Sequence, residues 1–144
     1  MLFTGPCNIA WAFQTPGYWE TVTITYGSDT VGKFSSLVLD GSGNPHISHY
    51  DSTKGDLLYS YKDDGGWHAE NVDGSGGDDV GKYTSIALDA SGYPHISYYD
   101  TTNGNLKYAY RDGTGWHVET EDQDTANNVG QYTSLESVAK QINW

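Results

Sequence analysis

The sequence has 144 residues, including 18 Gly, 12 Tyr and 5 Trp, and a formal charge of −12 at pH 7. This length fits one ordinary domain, and the 14% of aromatic residues argues against a disordered acidic tail, because disordered segments contain few aromatics. The excess of acids argues against nucleic acid or an anionic membrane as a partner, since both require a basic patch.

Targeting and redox signals are few. Cys7 is the only cysteine, which excludes an intrachain disulfide and a thiolate metal cluster. The apolar opening segment lacks a basic region and is interrupted by Gly5 and Pro6, so we expect no signal peptide. No apolar run reaches the roughly 18 residues that span a bilayer. We therefore expect a soluble protein, with the cytoplasm as the default location.

An internal repeat of 49 residues organises the chain. The segment from Val31 to Trp67 recurs from Val80 to Trp116 with 22 identities in 37 aligned positions. A third Val-Gly pair begins at Val129, again 49 residues further on. Such a match far exceeds chance, so we expect each unit to fold in the same way.

Taken in chain order, residues 8–30 align with the second half of a unit and predict two strands, C and D. Residues 31–79 and 80–128 each predict four strands, A to D, separated by turns that contain Gly and Asp. In the second complete unit these strands are Tyr83–Leu88, His95–Tyr99, Leu106–Tyr110 and Trp116–Thr120. Residues 129–144 predict strand A at 132–135 and a degenerate strand B at 141–144.

A four-stranded unit repeated every 40 to 50 residues is typical of a β-propeller blade. The sequence resembles bacterial propeller proteins with tandem blades and a PHISYYD-like motif, which lies here at Pro45–Asp51 and Pro94–Asp100. The resemblance implies an all-β fold, with residues 1–144 forming a single propeller segment of about three blade equivalents.

Three blades do not close a ring, because propellers usually have four to eight. We therefore predict a homodimer with six blades, in which strands A and B at the end of each chain complete the C and D strands of its partner. The competing interpretation is a fragment of a longer propeller.

Aromatic and polar residues at repeated positions are the candidate ligand-binding residues. Flat rings can fill the space between blades or form platforms for a ligand. The trio His95, Ser97 and Asp100 is also similar in kind to the hydrogen-bond network of WD-repeat blades, which favours a structural role. The candidates are Trp67, Trp116, Tyr50, Tyr99, His46, His95, Asp51 and Asp100.

The remaining polar groups give little sign of catalysis. His68 and His117 should be exposed on the outermost strand. The acidic loop that contains Asp73, Asp78 and Asp79 lacks a calcium-loop pattern, so we interpret it as a solvated rim. We predict no catalytic residues, no metal and no cofactor.

The sequence therefore favours a non-enzymatic, ligand-binding propeller. Small self-assembling propellers are similar to certain bacterial and fungal lectins, which implies carbohydrate binding through repeated weak sites. Repeated sites also supply avidity on a glycan surface. Two alternatives stay open: a hydrolase or lyase acting at the central mouth, and a protein-interaction scaffold or mobile-gene fragment.

Overall fold

The structure, a computed structural model, describes residues 9–15, 18–24, 27–122 and 129–136, with the backbone alone for residues 9–22. These residues contain ten β-strands and no helix. The described part therefore has no helix long and apolar enough to cross a membrane. The strands are β1 Ile9–Thr15, β2 Tyr18–Ile24, β3 Val31–Leu39, β4 Pro45–Asp51, β5 Asp56–Asp63, β6 Gly66–Asp73, β7 Val80–Leu88, β8 Pro94–Asp100, β9 Asn105–Asp112 and β10 Gly115–Asp122.

The strands form three antiparallel sheets. Strands β1 and β2 pair as a hairpin, while β3 to β6 and β7 to β10 form two four-stranded sheets in which neighbours in sequence are neighbours in space. We call these two sheets the first blade and the second blade. The predicted all-β fold class with four-stranded units is confirmed, and each predicted strand of the second unit lies within an observed one.

The two blades pack face to face, because β7 lies across β3, β4 and β5 of the first blade. Their shared core contains Leu57, Tyr59 and Val72 from the first blade and Ile86 and Tyr98 from the second. Leu57 and Tyr98 are fully buried. Since a fully buried aliphatic or aromatic side chain contributes roughly 1.5–3 kcal/mol, this interface is a main source of stability.

Asp73 connects the blades, which corrects its interpretation as part of a solvated rim. The Tyr98 hydroxyl donates to Asp73 Oδ2 at 2.7 Å, and Lys107 Nζ lies 2.5 Å from the same oxygen. Asp79 also has partners, because the Tyr50 hydroxyl donates to its Oδ1 at 2.7 Å and Lys82 pairs with its Oδ2. The carboxylates of Asp73 and Asp79 therefore connect neighbouring parts of the fold.

The backbone junction between units is the same at two places. The Val80 N–H donates to the Gly55 carbonyl at 2.9 Å, and the Val129 N–H donates to the Gly104 carbonyl at 3.1 Å. The following Gly81 has a φ of +96°, and a Cβ there would lie 2.7 Å from Leu57 Cα. Only glycine permits both this conformation and this close approach.

Residues 129–136 carry the third copy of strand A, and here the prediction needs correction. Residues 132–135 do not form a regular β-strand. They nevertheless make the contacts of strand A, because the Leu135 N–H donates to Ser85 Oγ at 2.9 Å as the Ile86 N–H donates to Ser36 Oγ at 3.2 Å. The predicted strand B at 141–144 lies outside the described residues.

Candidate functional site

A groove of about 360 Å³ lies between the two blades at one rim. The first blade supplies a wall of aromatic rings, and the second supplies polar and aromatic groups from its turns and from β9. The groove is lined by His46, Tyr59, Tyr61, Gly92, Tyr93, Pro94, Arg111, Asp112 and Gly113. We call it the inter-blade groove.

The aromatic wall results from strand register. His46 on β4 is the cross-strand neighbour of Tyr61 on β5, and Tyr61 is the neighbour of His68 on β6. The rings stack in a row, with centroids 6.1 Å apart for His46 and Tyr61 and 4.8 Å apart for Tyr61 and His68. Tyr59 stacks on Tyr61 at 5.3 Å. Cross-strand aromatic pairs of this kind stabilise a sheet and present a flat surface.

The second blade repeats the row with His95, Tyr110 and His117. Its centroid distances are 6.1 Å and 4.8 Å, matching those of the first blade. The turn that follows β7 and the segment around Leu135 border His95 and Tyr108 in a further cavity of about 300 Å³. The ring surface is thus a property of the repeated unit.

Arg111 is the principal cationic group of the groove, and Glu70 of the first blade holds it in place. Arg111 Nη1 donates to Glu70 Oε1 at 3.0 Å, and Trp116 Nε1 donates to Oε2 of the same carboxylate at 2.8 Å. The Trp116 ring also meets Tyr59 edge-on, with centroids 5.3 Å apart. Because a guanidinium has five N–H donors, Arg111 can keep its bond to Glu70 and still donate to a ligand.

His46 and Asp112 add polar groups at the edges of the groove. His46 Nδ1 lies 2.5 Å from the Tyr59 hydroxyl, and its Nε2 lies 3.9 Å from Asp40 Oδ2. Burial lowers the pKa of His46 despite the opposing effect of Asp40, so the imidazole is neutral at pH 7. Hydrogen bonds from Thr114 and His117 hold the pKa of Asp112 well below its usual range, so this carboxylate stays ionised.

The structure brings only some of the candidate residues to this groove. His46 lines it, and Trp116 lies beside it in the core. Tyr50 and Tyr99 are almost fully buried, at 6% and 5% exposure, and Tyr50 bonds to Asp79 away from the groove. Trp67 is half-buried on β6.

Asp51 and Asp100 are the last residues of β4 and β8, and each binds the turn that follows its strand. Asp51 Oδ1 accepts a hydrogen bond from the Thr53 N–H at 2.8 Å, and Asp100 Oδ1 accepts one from the Asn103 N–H at 3.0 Å. Their exposures are 0% and 3%, which suits turn-forming residues.

The expected network of His95, Ser97 and Asp100 does not form. Each side chain has a different partner: His95 Nδ1 contacts the Tyr108 hydroxyl, Ser97 donates to Thr133, and Asp100 binds its own turn. The physical reason is register, because His95 lies beside Tyr110 on β9, whereas Asp100 lies five residues further along the chain, at the far end of β8.

Sequence reasoning missed Tyr93 and Arg111 as groove residues. The sequence marks these two positions only by a difference between the units, because the first unit has Asn44 and Lys62 where the second has Tyr93 and Arg111. Recurrence between units therefore does not mark the two residues that give the groove its own chemistry.

No protein-family model matches the sequence, and no curated protein matches it. Among solved structures, the chain is similar to a fucose lectin from Kordia zhangzhouensis in complex with methyl-fucoside. The two share 22% sequence identity over 78% of this chain and 87% of the lectin chain, with a TM-score of 0.46. The fold assignment rests on the strands and pairing described above.

No group of three or more His, Cys, Asp or Glu side chains in the described ranges is arranged to hold a metal ion. The groove places aromatic faces and charged groups side by side in one opening.

Proposed function

We propose that the protein is a lectin-like carbohydrate-binding protein and that the inter-blade groove is its sugar site. The observation that carries the proposal is the juxtaposition, in one opening, of the Tyr61 ring row, the ring of Tyr93 and the charged groups of Arg111 and Asp112. A pyranose has an apolar C–H face that packs on an aromatic ring and hydroxyls that accept from a guanidinium or donate to a carboxylate.

The dimensions of the groove fit a small ligand. A volume of about 360 Å³ is at the low end of the range for small-molecule pockets and suits one or two sugar rings. The groove is open rather than enclosed, and Tyr93 is 37% exposed. An open site of this kind binds weakly, and repetition around a ring of blades compensates by avidity.

The other predicted ligand-binding residues and the six-bladed homodimeric ring stand as proposals. Repetition of the His–Tyr–His row in both blades supports equivalent sites, because any unit packed on the second blade would meet the same wall.

Titration of a panel of neutral monosaccharides and oligosaccharides against the full chain tests the proposal. We expect binding with dissociation constants in the micromolar to millimolar range. The sharpest variant is Tyr93→Asn, because the first unit has Asn44 at the same position of the same turn. The Asn44 and Tyr93 backbone N–H groups both bond to the turn aspartate, at 2.7 Å and 2.8 Å, so the turn tolerates either residue.

We expect Tyr93→Asn to weaken sugar binding at least about tenfold, since a stacked aromatic contact contributes on the order of 1 kcal/mol or more. Val118→Ala on β10, which is not among the groove residues, is the matched control and should bind as the unmodified protein does. Absence of binding to every sugar at millimolar concentration would contradict the proposal, as would equal affinity for the Tyr93 variant.

A further inference from the structure

Three aromatic residues at one position of the repeat form a column along the strand A segments. They are Phe34, Tyr83 and Tyr132, separated by 49 residues each. The rings of Phe34 and Tyr83 lie 4.7 Å apart between centroids, and those of Tyr83 and Tyr132 lie 4.4 Å apart. We call this set the aromatic column.

Each residue of the column has an unusual backbone conformation. Their φ angles are +52°, +53° and +57°, a left-handed region that bulky side chains rarely occupy. Such a conformation is strained and persists only where the surrounding structure holds it. Its occurrence at all three positions shows that the three units share the same backbone geometry at this point.

The column is covered in the middle and open at both ends. Tyr83 is half-buried between its neighbours, whereas Phe34 is 40% exposed and Tyr132 is 77% exposed. The same asymmetry extends along β3, where Leu37 is 43% exposed although its equivalent Ile86 is only 5% exposed. The first blade therefore presents to solvent the face that the second blade buries.

The two open ends are complementary, because each carries one half of a contact that the chain already makes twice. Ser36 Oγ accepts from the Ile86 N–H, and Ser85 Oγ accepts from the Leu135 N–H. Ser134 is the next serine of this series and is exposed, while Leu37 is the equivalent of Ile86 and Leu135 on the opposite open face. A further unit placed at either open face would therefore extend this series of hydrogen bonds between a serine and the next strand A.

We propose that a second copy of the chain occupies the exposed face of β3, with residues 129–136 of one copy packed against β3 of the other. Tyr132 then stacks on Phe34 of the second copy, and the Leu37 N–H of that copy donates to Ser134 Oγ. A two-fold axis makes this contact twice, so the two columns join into one closed ring of six aromatic side chains.

The occupant is a second copy rather than an unrelated protein because the aromatic, serine and aliphatic positions of one face have their counterparts on the other. The interface continues the contact between consecutive blades, including the aromatic spacing, the serine acceptor and the aliphatic residue. Each composite blade would combine residues 129–136 of one copy with β1 and β2 of the other, whose sequence aligns with β9 and β10.

The mass of the full chain in solution, measured by light scattering and native mass spectrometry, is the first test. We expect twice 15.8 kDa. We expect Leu37→Glu to raise the dimer dissociation constant roughly a hundredfold, because it places an unpaired charge in an apolar contact. Val118→Glu is the matched control, since Val118 is 40% exposed but lies on the outermost strand β10. A folded monomer, a trimer or equal effects of the two variants would overturn the proposal.

A cross-link tests the pairing itself and does not depend on a dissociated chain staying folded. With Cys7 changed to Ser, the double variant Phe34→Cys and Tyr132→Cys should form a covalent dimer with a short bismaleimide. Each single variant should remain uncoupled on a denaturing gel. An intrachain product alone, or no product from a dimeric sample, would show that the two ends do not meet between copies.

Discussion

His49 illustrates how one position can differ between two otherwise equivalent blades. It replaces Tyr98 of the second unit, and both side chains are buried, at 1% and 0% exposure. Tyr98 reaches Asp73 through its hydroxyl, whereas His49 Nε2 lies 2.9 Å from Ser60 Oγ. Its Nδ1 has no hydrogen-bond partner among the described residues. A buried imidazole with one partner is costly to protonate.

This cost predicts a pH dependence of stability. Burial lowers the pKa of His49 to about 4, against about 6.5 in an unfolded chain. Between these values the unfolded chain binds more protons, so the contribution of His49 is complete above pH 6.5 and is lost as the pH falls towards 4. We expect a loss of about 2 to 3 kcal/mol between pH 7 and pH 4.5, measured by urea unfolding.

His49→Gln removes the titrating group. Between pH 7 and pH 4.5, the free energy of unfolding of this variant should therefore fall by about 2 to 3 kcal/mol less than that of the unmodified protein. His117→Gln is the control, because its imidazole is 39% exposed. Equal pH dependence in the unmodified protein and His49→Gln would show that His49 does not titrate as its burial implies.

At the scale of the element, strand A is shaped by a β-bulge that the sequence encodes as Val-Gly-x-aromatic. The register of β7 on β8 shifts between Val80 and Lys82 and again between Lys82 and Ser85. Gly81 and Tyr83, both at positive φ, lie within these shifts. The bulge brings the backbone against Leu57 and directs the aromatic ring towards the column.

Gly81→Ala should therefore be among the most destabilising single substitutions in the chain. The added Cβ would lie 2.7 Å from Leu57 Cα, a backbone atom that cannot yield without separating the blades. We expect a loss of about 3 kcal/mol or more in the free energy of unfolding. Denaturant unfolding of the purified variant measures it.

Gly92→Ala separates steric clash from backbone strain. Gly92 has a similar φ of +85°, but nothing lies within 4 Å of an added Cβ. This variant should lose only about 1 kcal/mol, the cost of the left-handed conformation. Similar losses for the two variants would mean that contact with Leu57 is not what requires glycine at position 81.

Much of the element structure followed from the sequence, because local rules determine it. Alternating side chains, Pro94 at a strand start and the Gly and Asp turns placed four strands per unit within a few residues of their observed ends. The site did not follow, since the groove depends on which face of β5 meets which turn of the next blade. Tyr61 and Tyr93 are 32 positions apart, and only the packing of the blades brings them to one opening.

The bulge was missed for a related reason. Val-Gly pairs at 31, 80 and 129 marked the repeat, yet strand propensity alone gives no cause for an aromatic residue at positive φ. The register shifts of the bulge and the contact of Gly81 with Leu57 became visible only in the folded chain. The prediction for Asp73 was wrong for the same reason. A cluster of acidic residues in sequence is typical of a solvated surface, and only the packing of the second blade brings Tyr98 and Lys107 to this carboxylate.

At the scale of the whole molecule, charge distinguishes among ligands that have similar shape. The formal charge of −12 surrounds a groove whose one arginine is already paired with Glu70. Like charges repel over roughly 10 Å at 0.1 M salt, so an anionic sugar approaches the groove against an unfavourable potential. Neutral sugars do not incur this cost.

We therefore expect a neutral oligosaccharide to bind more tightly than its sialylated counterpart, by a factor of about five or more at low ionic strength. Titration at 20 mM and 500 mM NaCl checks this, because salt screens the repulsion and should reduce the difference. Tighter binding of the sialylated form would indicate that Arg111 is available as an anion receptor.

The uniform junction between units has a consequence for engineering. The Ser52 N–H donates to the Thr30 carbonyl at 2.9 Å, and the Thr101 N–H donates to the Asp79 carbonyl at 2.8 Å, so both ends of residues 31–79 carry the same connectors. A second copy of residues 31–79, inserted directly after Asp79, would therefore have the Asp79 carbonyl as the acceptor before it. Its own last carbonyl would accept from the Thr101 N–H after it. We therefore expect that copying these 49 codons adds one four-stranded unit to the chain without disturbing its neighbours.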